Sequence, residues 1–155
     1  MSKPVILLAF ANYEQDPSMH LRGLAKENML INQALQNAQQ QGICEVITLP
    51  NADLGSIMRV FATKPVAVFH YAGHANDYEL LLSESSTLHS RGLAEYLGQQ
   101  NSLQLVVLNA CSTKGHVENL IKNGVKAIIA TSNLINDQIA VEFAYEFYLY
   151  LGLGK

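Results

Sequence analysis

The feature that most restricts this chain is a set of apolar runs that do not alternate. Val5-Ile6-Leu7-Leu8-Ala9-Phe10-Ala11 has no polar interruption, and Val66-Ala67-Val68-Phe69, Leu105-Val106-Val107-Leu108 and Ala127-Ile128-Ile129-Ala130 repeat the pattern. A strand with one wet face alternates apolar and polar residues, whereas a run that is apolar at every position needs cover on both faces. A parallel sheet sandwiched between helices meets that need, because its long crossover connections are themselves the covering layers.

The intervening segments supply those layers. From Leu21 to about Gln41, apolar residues recur at three- and four-residue intervals (Leu24, Ile31, Ala34, Leu35, Ala38), and Gly42 ends the helix. Ile43 to Leu49 reads as a second strand, and Asn51 or Asp53 can cap a short helix carrying Leu54, Ile57, Met58 and Phe61. The third strand is Val66 to His70, followed by a short outlying strand at Glu79 to Ser83. A helix from Leu88 to Gln99, capped by Ser90, buries Leu93, Ala94 and Leu97. After the Leu105 strand come a short helix from Val117 to Asn123, ended by Gly124, and a fifth strand from Lys126 to Thr131. The last helix runs from about Asp137 to Tyr150, with Ala140, Phe143, Ala144, Phe147 and Tyr148 on its apolar face.

The expectation is therefore one α/β domain over residues 1–155. At 49% hydrophobic and 15% charged residues, the composition suits strands buried on both faces. A net charge of −3 with scattered lysines and arginines speaks against a nucleic-acid partner. No window approaches ~20 uninterrupted apolar residues, so no membrane span is expected. Met1-Ser2-Lys3-Pro4 leads straight into the first strand without a cleavable signal pattern, and the two cysteines make no disulfide framework. A reducing, cytoplasmic setting follows as the expectation. Cys44, beside the second strand, reads as a small core residue. The ending Gly152-Leu153-Gly154-Lys155, straight after a helix, reads as a piece of a larger polypeptide.

Two strand ends carry reactive side chains. Leu105–Leu108 stops at Asn109-Ala110-Cys111-Ser112-Thr113, and the third strand delivers Tyr71-Ala72-Gly73-His74-Ala75-Asn76. Ligands and chemistry sit beyond the carboxyl ends of strands in open α/β sheets. A cysteine after a strand is ordinarily a packing residue. Cys111, however, has polar neighbours and precedes a helix whose first amides favour a thiolate. His70 lies within its strand and takes a structural role. His70 and His74 are spaced for a metal only on a helix, which Gly73 after a β-run argues against, so neither a metal nor another cofactor is expected. No glycine-rich phosphate loop follows any strand. His116, five residues past Cys111, suits either an approach to the thiol or an exposed position near a helix start.

The ordered pair Val68-Phe69-His70-Tyr71-Ala72-Gly73-His74 and Leu105-Val106-Val107-Leu108-Asn109-Ala110-Cys111-Ser112 resembles the CHAT domain of the caspase-like (clan CD) cysteine peptidases. Val5 to Leu35 and Lys126 to Tyr148 are similar to the flanking parts of that domain. The resemblance implies a three-layer α/β/α caspase-like fold with a mostly parallel sheet of about five strands. It also implies peptide-bond hydrolysis by a His-Cys dyad, with Cys111 as nucleophile and His74 as general base. The backbone amides of Ala75 and Cys111 would form the oxyanion hole. The expected partners are a protein or peptide substrate and fused or partner regulatory domains, in a bacterial regulatory or defence system.

This chain departs from the family pattern at Ala75, where glycine is usual. That departure and the short C-terminus favour the alternative of a catalytically inactive interaction domain on the same fold. A flavodoxin-like or receiver-type domain would show phosphate loops or an acidic pocket after the first strand, and neither is present. Asn109 occupies the position where relatives that cleave after Arg or Lys carry an acidic residue facing the substrate's P1 side chain. Asn12 and Asp16, in the loop after the first strand, are the other expected substrate-binding residues. Because asparagine is neutral, a peptide-library profile should show no dominant Arg or Lys preference at P1. A dominant one would assign selection to Asp16 or Glu14 instead.

Overall fold

The structure is a computed structural model that describes residues 3–11, 24–73, 79–82, 87–110, 113–130 and 137–153. In chain order the elements are β1 (Val5–Phe10), α1 (Leu24–Gln40), β2 (Glu45–Leu49), α2 (Leu54–Thr63) and β3 (Val66–Ala72). They continue with β4 (Glu79–Leu81), β5 (Thr87–His89), α3 (Ser90–Gly98), β6 (Leu105–Asn109), α4 (Lys114–Lys122), β7 (Ile128–Ala130) and α5 (Asp137–Gly152). Five strands form one sheet in the order β2-β1-β3-β6-β7, and every neighbouring pair is parallel. This is the three-layer α/β/α caspase-like fold.

Each central strand divides its side chains between two cores. Along β1, Val5, Leu7 and Ala9 join Phe69 and Tyr71 of β3 and Val106 and Leu108 of β6 under α2, α3 and α4. Ile6, Leu8 and Phe10 face the other way, into Ile31 and Leu35 of α1 and Ala144 and Tyr148 of α5. This is why the runs cannot alternate: both faces of β1, β3 and β6 are dry. Burying each Leu, Ile or Phe contributes roughly 1.5–3 kcal/mol.

Helix ends follow local chemistry. Gly42 and Gly124, at φ +73° and +89°, adopt the left-handed conformation just past α1 and α4. Of the two candidate caps for α2, Asp53 is the one used, its carboxylate accepting from the Ser56 amide at 2.7 Å. That bond holds the Asp53 carboxyl below its ordinary range. The cap therefore supports the fold above the unfolded-state carboxyl range and is lost as pH falls through the lowered native value. Cys44 is buried, as expected, and burial pushes its thiol up.

Several expectations need correction, among them the start of α4, which lies at Lys114 and not at Val117. The outlying strand expected at Glu79 to Ser83 is present as Glu79–Leu81. Thr87–His89, at the expected start of the helix from Leu88, is instead its antiparallel partner in a ribbon outside the main sheet. The pairing escapes the sequence because three residues show no periodicity and their partner is non-local. α3 is capped by His89, whose Nδ1 accepts from the Arg91 amide at 3.2 Å, and not by Ser90. β3 runs to Ala72, past His70, because β1 and β6 both continue to pair with it there. Phe143, placed on the apolar face of α5, is 47% exposed and stacks on Phe147 at the surface.

α3 and α4 pack closely enough that a Cβ on Gly98 would overlap the Asn123 backbone carbonyl. Gly98→Ala should therefore destabilise the fold by about 1–3 kcal/mol. In a thermal melt Tm should fall by several degrees, and an unchanged Tm would mean that the α3–α4 contact yields freely.

Candidate active site

The two strand ends marked by the sequence are neighbours. β3 and β6 pair in parallel with Ala72 opposite Asn109. One step further, the Gly73 amide donates to the Asn109 carbonyl at 3.4 Å. The residues that precede His74 and Cys111 thus leave the sheet side by side, at its carboxyl edge. His74, Ala75 and Cys111 themselves, with Asn12, Glu14 and Asp16, lie outside the described residues.

The turn at Gly73 is tight. A Cβ there would come to 2.7 Å from both the Ala11 carbonyl oxygen and the Tyr71 Oη. The Ala11 oxygen is backbone, and the Ala11 amide is bonded to the Ala72 carbonyl at 3.0 Å, so it has little room to yield. Tyr71 is buried, and its hydroxyl donates to the Leu81 carbonyl at 2.6 Å. β4 is thereby tied to the end of β3 from the α2/α3/α4 side. Burial pushes the Tyr71 phenol far above its ordinary range, so it stays a neutral donor.

On the opposite face lies a cluster the sequence reading did not assemble. His70 and Tyr148 have no exposed surface and Glu27 only 3%. Glu27 Oε2 lies 2.8 Å from His70 Nε2, and Tyr148 Oη lies 2.8 Å from His70 Nδ1. Glu27 Oε1 accepts from the Asn109 side-chain amide, also at 2.8 Å. One assignment makes each contact a donor meeting an acceptor and also uses the Tyr148 proton. In it Tyr148 donates to Nδ1 of a neutral His70, and Nε2–H donates to an ionised Glu27. Phe10 packs against the His70 ring at 5.9 Å between centroids, and Tyr148 at 5.4 Å. Burial, then the Glu27 charge, pushes the Tyr148 phenol well above its ordinary range.

The cluster left a trace in the sequence. Glu27 falls in phase with Ile31, Ala34, Leu35 and Ala38 on the buried face of α1, and Tyr148 lies one turn after Ala144 on that of α5. His70 sits inside an otherwise apolar strand. A polar residue in phase with a buried face is the signal, but finding which partners meet requires the packing of all four elements.

Of the residues expected to bind substrate, Asn109 is the described one. It is half-buried with its amide directed to Glu27. His70 is buried and fully engaged, in keeping with a structural role. His116 is 1% exposed on α4, which removes the reading of it as an exposed residue. Beside the first turn of α4 and β7, a cavity of about 400 Å³ is lined by Thr113, Lys114, Val117, Glu118, Ile128 and Ala130. Among the described residues no three His, Cys, Asp or Glu side chains gather as metal ligands. Nor is any described helix long and apolar enough to cross a membrane.

Gly73→Ala should cost about 1–3 kcal/mol through overlap with the Ala11 carbonyl. A urea titration should show a lower midpoint, and a midpoint equal to wild type would contradict the rigid turn described here.

The family model of the CHAT domain matches residues 3–155. No curated protein matches the chain at a significant level.

Proposed function

The chain belongs to the CHAT domain family, a caspase-like, peptidase-related family, and on that premise we propose that it is a cysteine endopeptidase. One observation carries the reading: β3 and β6 are adjacent and parallel, and the chain continues from their paired carboxyl ends into His74 and Cys111. The mechanism follows from the chemistry of those residues. His74 takes the Cys111 thiol proton, and the thiolate sulfur adds to the scissile carbonyl carbon. The resulting oxyanion is held by the amides of Cys111 and Ala75. His74 then gives its proton to the departing amine as the C–N bond breaks. Water, deprotonated by the same imidazole, attacks the thioester, releases the acid and restores the thiol.

The substrate is a protein or peptide, and the cavity between the first turn of α4 and β7 offers space for it. The resemblance to domains fused with regulatory modules supports a role in a bacterial regulatory or defence system. The two cysteines without a disulfide framework fit a reducing cytoplasm. A second reading, an interaction domain without activity, is favoured by Ala75 where the family usually has glycine.

Thiol reactivity separates the two. Cys44, with its thiol pushed up by burial, is a built-in slow reference. Iodoacetamide should modify Cys111 at least ~10-fold faster than Cys44 at pH 7, as expected of a thiolate favoured by an adjacent base. His74→Ala should remove that advantage, and Cys111→Ala should abolish peptide cleavage. Equal reactivity of the two thiols would favour the interaction domain.

A further inference from the structure

Glu27 sits on α1, yet its two carboxylate oxygens serve two different strands. Oε2 meets His70 of β3 and Oε1 meets Asn109 of β6, each at 2.8 Å. In the parallel register His70 lies opposite Val107 and Ala72 opposite Asn109, so the carboxylate spans the diagonal between neighbouring strands. Tyr148 closes the far side of His70 from α5. The bridge is buried within four residues of His74 and two of Cys111.

A bridge of this kind is a poor device for stability. Burying a carboxylate carries a desolvation penalty that apolar side chains of similar volume would avoid, and such replacements are often neutral or stabilising. What a bidentate acceptor provides, and an apolar contact does not, is a defined position for both donors. From its place at the carboxyl ends of the paired strands, we infer that Glu27 is a positioning residue. By holding His70 and Asn109 together it sets the relative placement of the two strand exits, and through them the reactivity of Cys111 toward its base. The role rests on the peptidase reading above.

The test uses iodoacetamide, which is small enough to report on the thiol without any P1 contact by Asn109. Glu27→Leu should slow Cys111 alkylation at pH 7 by about tenfold or more, because small displacements of a reacting pair are costly. The apparent pKa of the reaction should move toward an ordinary thiol value of about 8.5. Cys44 alkylation in urea and the Tm should stay near wild type. Glu27→Gln should remain within about threefold of wild type. Its amide can still accept from Asn109 and donate to His70 Nε2, with the imidazole proton moved to Nδ1 and directed at Tyr148. Asn109→Ala cuts the bridge from the other end at a half-buried site, and so keeps the idea testable if Glu27→Leu does not fold. It should show a similar slowing, and the double variant should be no slower than the worse single one. Unchanged Cys111 reactivity in Asn109→Ala or in folded Glu27→Leu overturns the role, as do additive effects in the double variant. So does a rate loss in Glu27→Leu that merely follows a loss of stability. Failure of the peptidase reading would appear separately, in the wild-type chain, as a Cys111 no faster than Cys44 and indifferent to His74→Ala; the positioning role would fall with it.

Discussion

The parallel pairing of β3 with β6 is the contact on which the candidate site depends. It exists because both strands are apolar on two faces and can be accommodated only inside the sheet, between β1 and β7. Edge strands tolerate half-exposure, and β2 and β7 show it, each being only partly buried along its length. The interior places are left to β1, β3 and β6. A parallel register then sends the carboxyl ends of β3 and β6 out on the same side, which is where reactive residues of an open α/β sheet are collected.

The surroundings of that exit are asymmetric. On the α2/α3/α4 side it is tied by a neutral phenol: Tyr71 reaches a carbonyl of β4, and Gly73 fits beneath without a side chain. On the α1/α5 side it is tied by an ionisable network through Glu27, His70 and Tyr148. Both ties act on residues within four positions of His74. A strand end held on both faces loses the freedom that a loop would otherwise keep, and a reacting pair benefits from that loss because its geometry is settled before substrate arrives. The polar network is costly to bury, and it meets the sheet at His70 and Asn109, toward the carboxyl ends of β3 and β6.

Much of the fold was legible residue by residue. Uninterrupted runs such as Val5–Ala11 identified strands with two dry faces, the Ile31–Leu35–Ala38 spacing identified α1, and Gly42 and Gly124 marked helix ends. The ribbon of β4 and β5 was not legible as a pair, since three residues show no periodicity and their pairing is non-local. The spacing of Phe143 predicts a core residue, but its ring is half-exposed and stacks on Phe147. In the site, the Gly-His and Ala-Cys motifs were visible as strand ends, while the cluster linking Glu27 to Asn109 was not.

The sequence by itself determined the class of architecture, the elements that must be central, and the identity of the residues following two of them. These are consequences of local pattern, because burial on one or both faces is written in the period of the apolar residues. Only the tertiary structure decided that β3 and β6 are neighbours, that Ala72 meets Asn109, and that Glu27 of a distant helix joins them. Those facts belong to pairs and triples of residues far apart in the chain. Their energies come from contacts that do not exist until the layers close.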